Sequence, residues 1–378
     1  AVNMGVIQWG IKPVAESVSS VSETRGAFLP YAGLFAWLRG QKFTAPLLRE
    51  THDALAKVGV AADERLQALG RIMRFGDARL SVIAPALQLG FFWDVHTLRM
   101  LEGWRARAGA QAPRWFALLA EIEALAGLGT LSFDNPAWAF PTITEVERGA
   151  ARLEARALGH PLLPPADCVR NDVALGPPGT FLLVTGSNMS GKSTLLRAIG
   201  ANIALAQAGA PVCAEALSLP PIALASSMRA QDSLAAGVSY FMAELKRLRQ
   251  VVDEVDAAAR AGERVPLFLL DEILSGTNTS ERQIAARSVI RHLLDLGATG
   301  AVSTHDLTLA QAPDLTPVSQ PVHFSERFTR NENGPHMTFD YLLRPGIATS
   351  VNALKLMELV GLPLPEGESQ QAERGPVV

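Results

Sequence analysis

A glycine-rich turn at residues 186–194 lies between two apolar stretches of the chain. It matches the pattern G-x-x-x-x-G-K-S, with Gly186, Gly191, Lys192 and Ser193 at the fixed positions. In this pattern the glycines let the backbone wrap phosphates, the lysine neutralises the β and γ phosphates, and the hydroxyl can bind Mg²⁺. The spacing therefore predicts a nucleotide-phosphate site formed by Gly186, Ser187, Asn188, Met189, Ser190, Gly191, Lys192, Ser193 and Thr194.

Two carboxylates follow a second apolar run, "PLFLLDE", in which Asp271 and Glu272 come directly after four apolar residues. Alone, this pattern is typical of a core strand that ends in acidic residues. Because it follows a phosphate-binding turn, we expect Asp271 to hold Mg²⁺ together with Ser193, and Glu272 to polarise the attacking water.

A third short apolar run, "VSTHD", places His305 at the end of another expected strand. Carboxyl ends of parallel strands meet at one edge of a sheet, so His305 could reach a γ-phosphate there, although a single histidine is more often structural. Gln231, in the segment between the turn and the acidic strand, is a candidate for contacting the Mg²⁺ or the water.

Ser239 follows Gly237 at the expected start of a helix that carries Phe241, Leu245 and Leu248. The amino end of a helix favours anions, and this helix is not the one that follows the phosphate turn. Ser239 could therefore contact a nucleotide held by a second subunit, which implies a homodimer that closes around ATP. The alternative is a serine that only caps its helix.

The elements that must position these residues are of two kinds. From about residue 45 to 128 the apolar residues recur at helical spacing, whereas the part after the Pro-rich passage "HPLLPPADCVRNDVALGPPG" alternates short apolar strands with amphipathic helices. We therefore expect an α/β fold with a mostly parallel sheet, preceded by a helical domain. The predicted domains are residues 1–145 (helical) and 146–362 (α/β), followed by a polar tail over 363–378.

Within the α/β part we expect helices over Lys192–Ala208 and Glu281–Leu296, and a final helix over Val351–Leu359. Two late segments, "PVHFSERFTR" and "HMTFDYLLRPG", are predicted to pair as strands across the turn at residues 331–334.

The composition of the chain gives only general information about the class of protein. The chain has 378 residues, 48% of them apolar, and a formal net charge of −3, which gives no overall bias toward nucleic acid or membrane. Its two cysteines are too few for a disulfide framework and fit a reducing cytoplasm. Apolar stretches such as Leu80–Trp93 fall short of the roughly 20 residues that span a bilayer, so we expect a cytoplasmic protein without a membrane segment.

Taken together, these segments resemble the ATPase domain of the MutS family of DNA mismatch repair proteins, a branch of the ABC-type P-loop ATPases. The resemblance covers about residues 145–362 and rests on "TGSNMSGKST", "QDSLAAGVSYFMAEL", "LLDEILSGTNTSE", "STHD" and "GIATSVNALKLMELVGLP". It implies that the turn binds ATP, that Ser193 and Asp271 serve Mg²⁺, and that Glu272 acts on water. It further implies that His305 contacts the γ-phosphate and that Ser239 acts in trans. The helical part is similar to the family's lever region, though more weakly.

Departures from the family pattern bear on function. The Phe-x-Glu sequence of mismatch readers occurs only as Phe324-Ser325-Glu326, within the ATPase part. The helical part is too short for long levers with a DNA clamp. We therefore do not expect the residues of this chain to read mismatches directly. Where the family has an aromatic residue that stacks on adenine, this chain offers Cys168 or Val169 ahead of Asn171.

Two functions remain open at this point. The first is an ATPase that couples ATP binding and hydrolysis at a dimer interface to DNA binding in mismatch repair or related DNA metabolism. The second is a nucleotide-gated scaffold that binds a protein or membrane partner and does not contact DNA. The signature "SYFMAEL" disfavours a transporter ATPase.

Overall fold

The computed structural model describes residues 25–58, 62–77, 91–146, 149–228, 240–274, 279–331 and 334–348. The chain divides into two compact units, Ala1–Thr130 and Leu131–Val378.

The described part of the first unit is helical. Trp115 on its last helix is fully buried, and it packs in an apolar cluster with Phe35, Leu38 and Leu66. Trp104 donates a hydrogen bond from its indole nitrogen to the Arg65 carbonyl at 2.7 Å. The helices are α1 (Arg25–Arg39), α2 (Pro46–Val58), α3 (Ala62–Gly76), α4 (Trp93–Trp104, extended by a π-helical turn over Arg105–Gly109) and α5 (Ala112–Asp134).

Helix α5 is the one helix of the described residues that is long and apolar enough to cross a membrane, by length and composition alone. Core helices of proteins can meet the same criterion. Trp115, Leu119 and Ile122 on α5 are buried, while most of the remaining helix is exposed, including Phe133 with 84% of its surface. The sequence expectation considered only shorter stretches such as Leu80–Trp93, most of which lies outside the described residues.

A six-stranded sheet forms the centre of the second unit, in the order β12-β9-β4-β8-β7-β6. Five neighbouring strands are parallel, and only β12 runs antiparallel to β9. The strands are β4 (Phe181–Thr185), β6 (Ile222–Met228), β7 (Val265–Asp271), β8 (Thr299–Thr304), β9 (Ser319–His323) and β12 (Arg344–Pro345).

Two smaller sheets accompany it. One has the order β1-β5-β2-β3 with mixed pairing, and the other is the antiparallel hairpin β10-β11. Their strands are β1 (Thr142–Ile143), β2 (Leu153–Leu158), β3 (Asn171–Leu175), β5 (Ala216–Leu219), β10 (Glu326–Asn331) and β11 (Gly334–Phe339).

The central strands β4, β7 and β8 are buried along their whole length because both faces of the sheet are covered. Leu267 and Leu269 of β7 pack into a cluster with helix α6 (Lys192–Gln207) and strands β2, β3 and β5. Phe268 and Leu270 of the same strand pack on the opposite face against helices α7 (Tyr240–Ala261) and α8 (Thr279–Asp295). The second unit is therefore an α/β fold with one layer on each side of the sheet.

The predicted elements agree closely where they fall on described residues. The two expected helices are α6 and α8, with ends within two residues of the predicted ones. The segment "PVHFSERFTR" differs, because its first part belongs to β9 of the central sheet and only its second part, β10, pairs with β11. Phe324, buried between them, marks the change of sheet. The expected helix over Val351–Leu359 and the tail lie outside the described residues.

Candidate active site

The glycine-rich turn connects β4 to α6 and bends sharply at two glycines. Gly186 has φ 143° and Gly191 has φ 108°, a region that side chains with a Cβ rarely adopt. A Cβ on Gly186 would also lie 2.9 Å from Ser190 Oγ and 3.0 Å from the Phe324 carbonyl oxygen. The turn therefore needs glycine both for its backbone angle and for its close approach to Phe324.

Lys192 is buried, with 4% of its surface exposed, and its ammonium group points back into the turn. Its Nζ donates hydrogen bonds of 2.9 Å to the carbonyl oxygens of Gly186 and Ser187. The same nitrogen lies 3.2 Å from Glu272 Oε1. One cation thus holds together the two ends of the turn and the acidic end of β7.

Ser193, the first hydroxyl of α6, donates a hydrogen bond of 2.9 Å to Asp271 Oδ1. Asp271 is buried at the end of β7 and also accepts a short hydrogen bond from Ser303 Oγ on β8. The parallel register places Asp271 directly opposite Ser303, so neighbouring strands bring these groups together. A hydroxyl and a carboxylate oxygen, both hard donors, therefore converge beside the turn.

Glu272 follows Asp271 in a left-handed backbone conformation, with φ 48°. Its amide donates to the Ser303 carbonyl at 3.1 Å and to Ser303 Oγ at 3.2 Å, which holds the backbone in that conformation. The carboxylate, about one-third exposed, faces Lys192 on one side and lies 3.6 Å from His305 Nδ1 on the other. Glu272 is thus the group shared by the lysine and the histidine.

A cavity of about 960 Å³ opens over these residues. Asn188 to Thr194 line it from the turn, Asp271 and Glu272 line it from β7, and the loop between β2 and β3 forms another wall. In that loop His160 lines the cavity, and burial, followed by the charge of Arg197, lowers the pKa of its imidazole. His160 is therefore neutral at pH 7, since both causes favour the uncharged ring.

Tyr341 closes the cavity next to the turn, since a Cβ on Gly191 would lie 3.2 Å from its ring. Its carbonyl accepts a hydrogen bond of 3.0 Å from Asn171 Nδ2, and Asn171 Oδ1 accepts one of 2.7 Å from the Leu343 amide. Asn171 therefore ties the Tyr341 segment to the start of β3. Cys168 and Val169 precede Asn171 in the loop between β2 and β3.

Two further carboxylates support the edge of the sheet. Glu244 on α7 accepts a short hydrogen bond from the amide of Leu274, two residues beyond Glu272. Asp306, next to His305, accepts hydrogen bonds from Arg282 (3.2 Å) and Gln283 (2.9 Å) on α8. Burial raises the pKa of Asp306, but hydrogen bonds led by Thr308 outweigh it and hold the pKa below its ordinary value.

The structure brings together most of the residues that the sequence singles out: the turn, Asp271, Glu272 and His305. Gln231 and Ser239 lie outside the described residues, so their roles stay predictions. Sequence reasoning missed Ser303 and Tyr341. Ser303 lies within the quoted "VSTHD" motif, and strand alternation could have found it, whereas Tyr341 reaches the turn only through tertiary folding and has no local signal.

Comparison with known proteins identifies the family. The family model "MutS domain V" matches residues 182–372, just over half of the chain. The chain is 31% identical over 273 residues to "DNA mismatch repair protein MutS 2" of Halobacterium salinarum, which covers 70% of this chain and 30% of that protein. It is 34% identical over 225 residues to "DNA mismatch repair protein MSH6" of Arabidopsis thaliana, a match that covers 57% of this chain and 16% of that protein. It is 36% identical over 155 residues to "Endonuclease MutS2" of Thermus thermophilus, a match that covers 41% of this chain and 20% of that protein.

The chain thus spans less than a third of the length of these relatives. The matched region begins in β4 and contains the glycine-rich turn and the acidic end of β7, which line the cavity, and His305, which lies beside Glu272. On the strength of that match, the chain belongs to the MutS family.

Proposed function

We propose that this chain is a P-loop ATPase of the ABC type, which binds and hydrolyses ATP with Mg²⁺ at a dimer interface. This ATPase cycle would be coupled to DNA binding in mismatch repair or related DNA metabolism. The observation that carries the proposal is the convergence of Lys192, Ser193, Asp271 and Glu272 on one cavity, with His305 3.6 Å from Glu272. The printed names of the relatives support the link to DNA repair.

The turn has polar groups that fit a phosphate chain. The buried hydroxyl oxygens of Ser187 and Ser190 find no hydrogen-bond partner among the residues that the structure describes. Buried hydroxyls without partners are costly, and phosphate oxygens at a helix amino end would satisfy them. Residues Gly186 to Thr194 would therefore hold the phosphates of ATP, with Lys192 supplying positive charge.

Ser193 and Asp271 would hold Mg²⁺, because a hydroxyl and a carboxylate are the oxygen ligands this ion prefers. When bound, the ion supplies positive charge that neutralises the phosphates during transfer. Ser303 would orient Asp271 through its hydrogen bond, leaving the second carboxylate oxygen for other contacts.

Glu272 would accept the proton of the attacking water, since its carboxylate lies at the cavity and is partly accessible. His305 would contact the γ-phosphate from the neighbouring strand, and its distance of 3.6 Å from Glu272 suits two groups that act at one reacting centre. The ion pair of Glu272 with Lys192 must open for both groups to take up these roles.

The dimer part of the proposal depends on Ser239, whereas Gln231 would contact the Mg²⁺ or the attacking water. The sequence predicts Ser239 at the start of a second helix, where anions are favoured, and this prediction, together with the family membership, supports a nucleotide shared between two copies of this chain. Residues 1–145 would then act as the lever-like helical domain that transmits the change.

The test is ATP turnover by the purified chain, with and without mismatched, branched and single-stranded DNA. Glu272→Gln should keep ATP binding but lose hydrolysis, because an amide cannot accept the proton of the water. Glu263→Gln, an exposed change on the same unit, is the matched control and should leave turnover unchanged. Wild-type rates in Glu272→Gln would rule out this base.

The nucleotide-gated scaffold remains the alternative, and the exposed apolar length of α5 is the observation that favours it. ATP-dependent shifts of DNA in native gels would reject the scaffold. Co-flotation with neutral lipid vesicles, without any DNA shift, would favour it instead.

A further inference from the structure

The two cysteines of the chain converge on one glycine beside the cavity. Cys168 lies in the loop between β2 and β3, and Cys213 precedes β5. A Cβ placed on Gly159 would lie 2.6 Å from Cys168 Sγ and 2.9 Å from Cys213 Sγ. Both sulfur atoms therefore occupy the space that a side chain on residue 159 would need, although they are far apart along the sequence.

The two thiols interact with each other but differ in their access to solvent. Cys168 is partly exposed, and Cys213 is buried with 3% of its surface exposed. Burial first, and then the neighbouring Cys168, raises the pKa of Cys213 to about 11. Arg170, whose side chain also reaches Gly159, opposes that increase. An oxidant from solution thus meets Cys168 first, with Cys213 directly behind it.

The Cys213 side of the pair is held firmly to helix α6. Asn202, buried on that helix, accepts a hydrogen bond of 2.7 Å from the Cys213 amide and donates one of 2.9 Å to the Gly159 carbonyl. The Gly159 amide in turn donates to the Cys213 carbonyl at 2.7 Å. Cys213 is therefore fixed relative to the helix that begins in the phosphate turn.

The Cys168 side belongs to the loop that forms a wall of the cavity. His160, Leu163, Asp167 and Val169 of this loop all line the cavity. The Cys168 thiol also makes a long contact, 3.9 Å, with the His160 carbonyl. A covalent bond between the sulfurs would connect this wall to the phosphate-binding helix through Cys213 and Asn202.

We propose that Cys168 and Cys213 form a reversible redox pair, which a peroxide closes into a disulfide that pins the wall of the nucleotide cavity to helix α6. Cys168 loses its thiol proton, and the thiolate attacks one peroxide oxygen, giving a sulfenic acid and a hydroxide that takes up a proton to become water. The Cys213 sulfur then gives up its own proton as it attacks the sulfenic sulfur, and the displaced hydroxide takes that proton and leaves as a second water. In sum, two thiols and hydrogen peroxide give one disulfide and two waters, and a small dithiol reverses the reaction.

A metal site is the other function that paired thiols suggest. Among the described residues, no group of three or more His, Cys, Asp or Glu side chains is placed to hold a metal ion. A pair of thiols without a third ligand fits a redox function better, because stable soft-metal sites in proteins usually use more ligands.

The effect of the disulfide on the affinity for ATP rests on the proposed function, in which the cavity binds ATP. The cavity is already open in this conformation. A disulfide that holds the loop between β2 and β3 in place lowers the conformational entropy that this loop would lose when ATP binds. The oxidised chain should therefore bind ATP about two- to fivefold more tightly than the reduced chain.

The experiment treats the folded chain with hydrogen peroxide, traps remaining thiols by alkylation and measures intact mass and linked peptides. Wild type should lose about 2 Da, lose both alkylatable thiols, yield a peptide pair joined through Cys168 and Cys213, and return to the dithiol with dithiothreitol. Cys168→Ser and Cys213→Ser are the matched controls, since each removes the internal partner. Retention of both thiols, or a gain of about 32 Da on Cys168 without a linked peptide, would overturn the redox pair.

The second readout is the affinity for a fluorescent ATP analogue in the reduced and oxidised states. Tighter binding after oxidation, absent in Cys168→Ser, supports the pinned wall. Unchanged affinity in a chain that carries the disulfide overturns the pinning. A chain that forms the disulfide but binds no ATP in either state supports the redox pair and contradicts the proposed function, so the two failures are distinguishable.

Discussion

Lys192 and Glu272 form an ion pair across the site, with 3.2 Å between Nζ and Oε1, while the lysine also holds two carbonyls of its own loop. In this arrangement the charges proposed to serve the phosphates and the water neutralise each other. Under the proposed function, the site must therefore exchange this pair for contacts with a nucleotide.

Glu272→Gln should strengthen ATP binding while hydrolysis is lost. Removing the carboxylate charge frees Lys192, and because Glu272 is about one-third exposed, the gain is small, about two- to fivefold in affinity. Titration with a fluorescent ATP analogue in the presence of Mg²⁺ measures it. Weaker binding than wild type would mean that Glu272 contributes to holding the nucleotide.

Asn202→Ala should lower the free energy of unfolding by about 2–4 kcal/mol. The change leaves the buried Cys213 amide and the Gly159 carbonyl each without the Asn202 hydrogen bond. Urea denaturation followed by circular dichroism measures the effect. Gln250→Ala, at an exposed amide on α7, is the control and should stay within about 0.5 kcal/mol of wild type.

Gly159→Ala should destabilise the second unit by about 1–3 kcal/mol, because its Cβ would collide with both sulfur atoms. The same change in a Cys168→Ala/Cys213→Ala background should cost less, since the smaller side chains leave room. Thermal unfolding of the four variants forms a double-mutant cycle. Equal costs in both backgrounds would mean that the sulfurs are not what excludes a side chain here.

Asp306 should make stability depend on pH in the acid range. Its pKa is lower in the folded chain than the ordinary value of about 3.9, so its contribution is fully present above that value and is lost as the pH falls through the lowered pKa. Asp306→Asn should flatten this part of the stability profile and cost about 1 kcal/mol at pH 7. Denaturant midpoints between pH 3 and 7 test this, with the exposed Asp253→Asn as control.

Much of this site could be predicted because its residues lie at the ends of apolar runs. The turn between β4 and α6, Asp271 with Glu272, and His305 each follow a buried strand, and parallel strands deliver such residues to one edge. Local pattern and sheet geometry were sufficient for these residues.

The remainder depends on contacts between distant parts of the chain. Tyr341 lies against Gly191 while its carbonyl is bonded to Asn171, and Cys168 and Cys213 come together at Gly159. The sequence shows two cysteines without metal-ligand spacing, and nothing local predicts that they touch. The change of sheet at Phe324 was missed for a similar reason, since the sequence over β9 and β10 was predicted to form one strand.

The order of strands also affects how the protein is made. Strand β8 lies between β4 and β7, so the glycine-rich turn and the acidic residues sit on strands that are not neighbours. Once β4, α6 and β7 have left the ribosome, the glycine-rich turn and both carboxylates are present in the growing chain. Strand β8, which lies between β4 and β7 in the folded sheet, has not yet emerged. At about 5–20 residues per second, the growing chain spends seconds with the edges of β4 and β7 that will face β8 unpaired. During synthesis the edges of β4 and β7 are therefore a place where a chaperone could act.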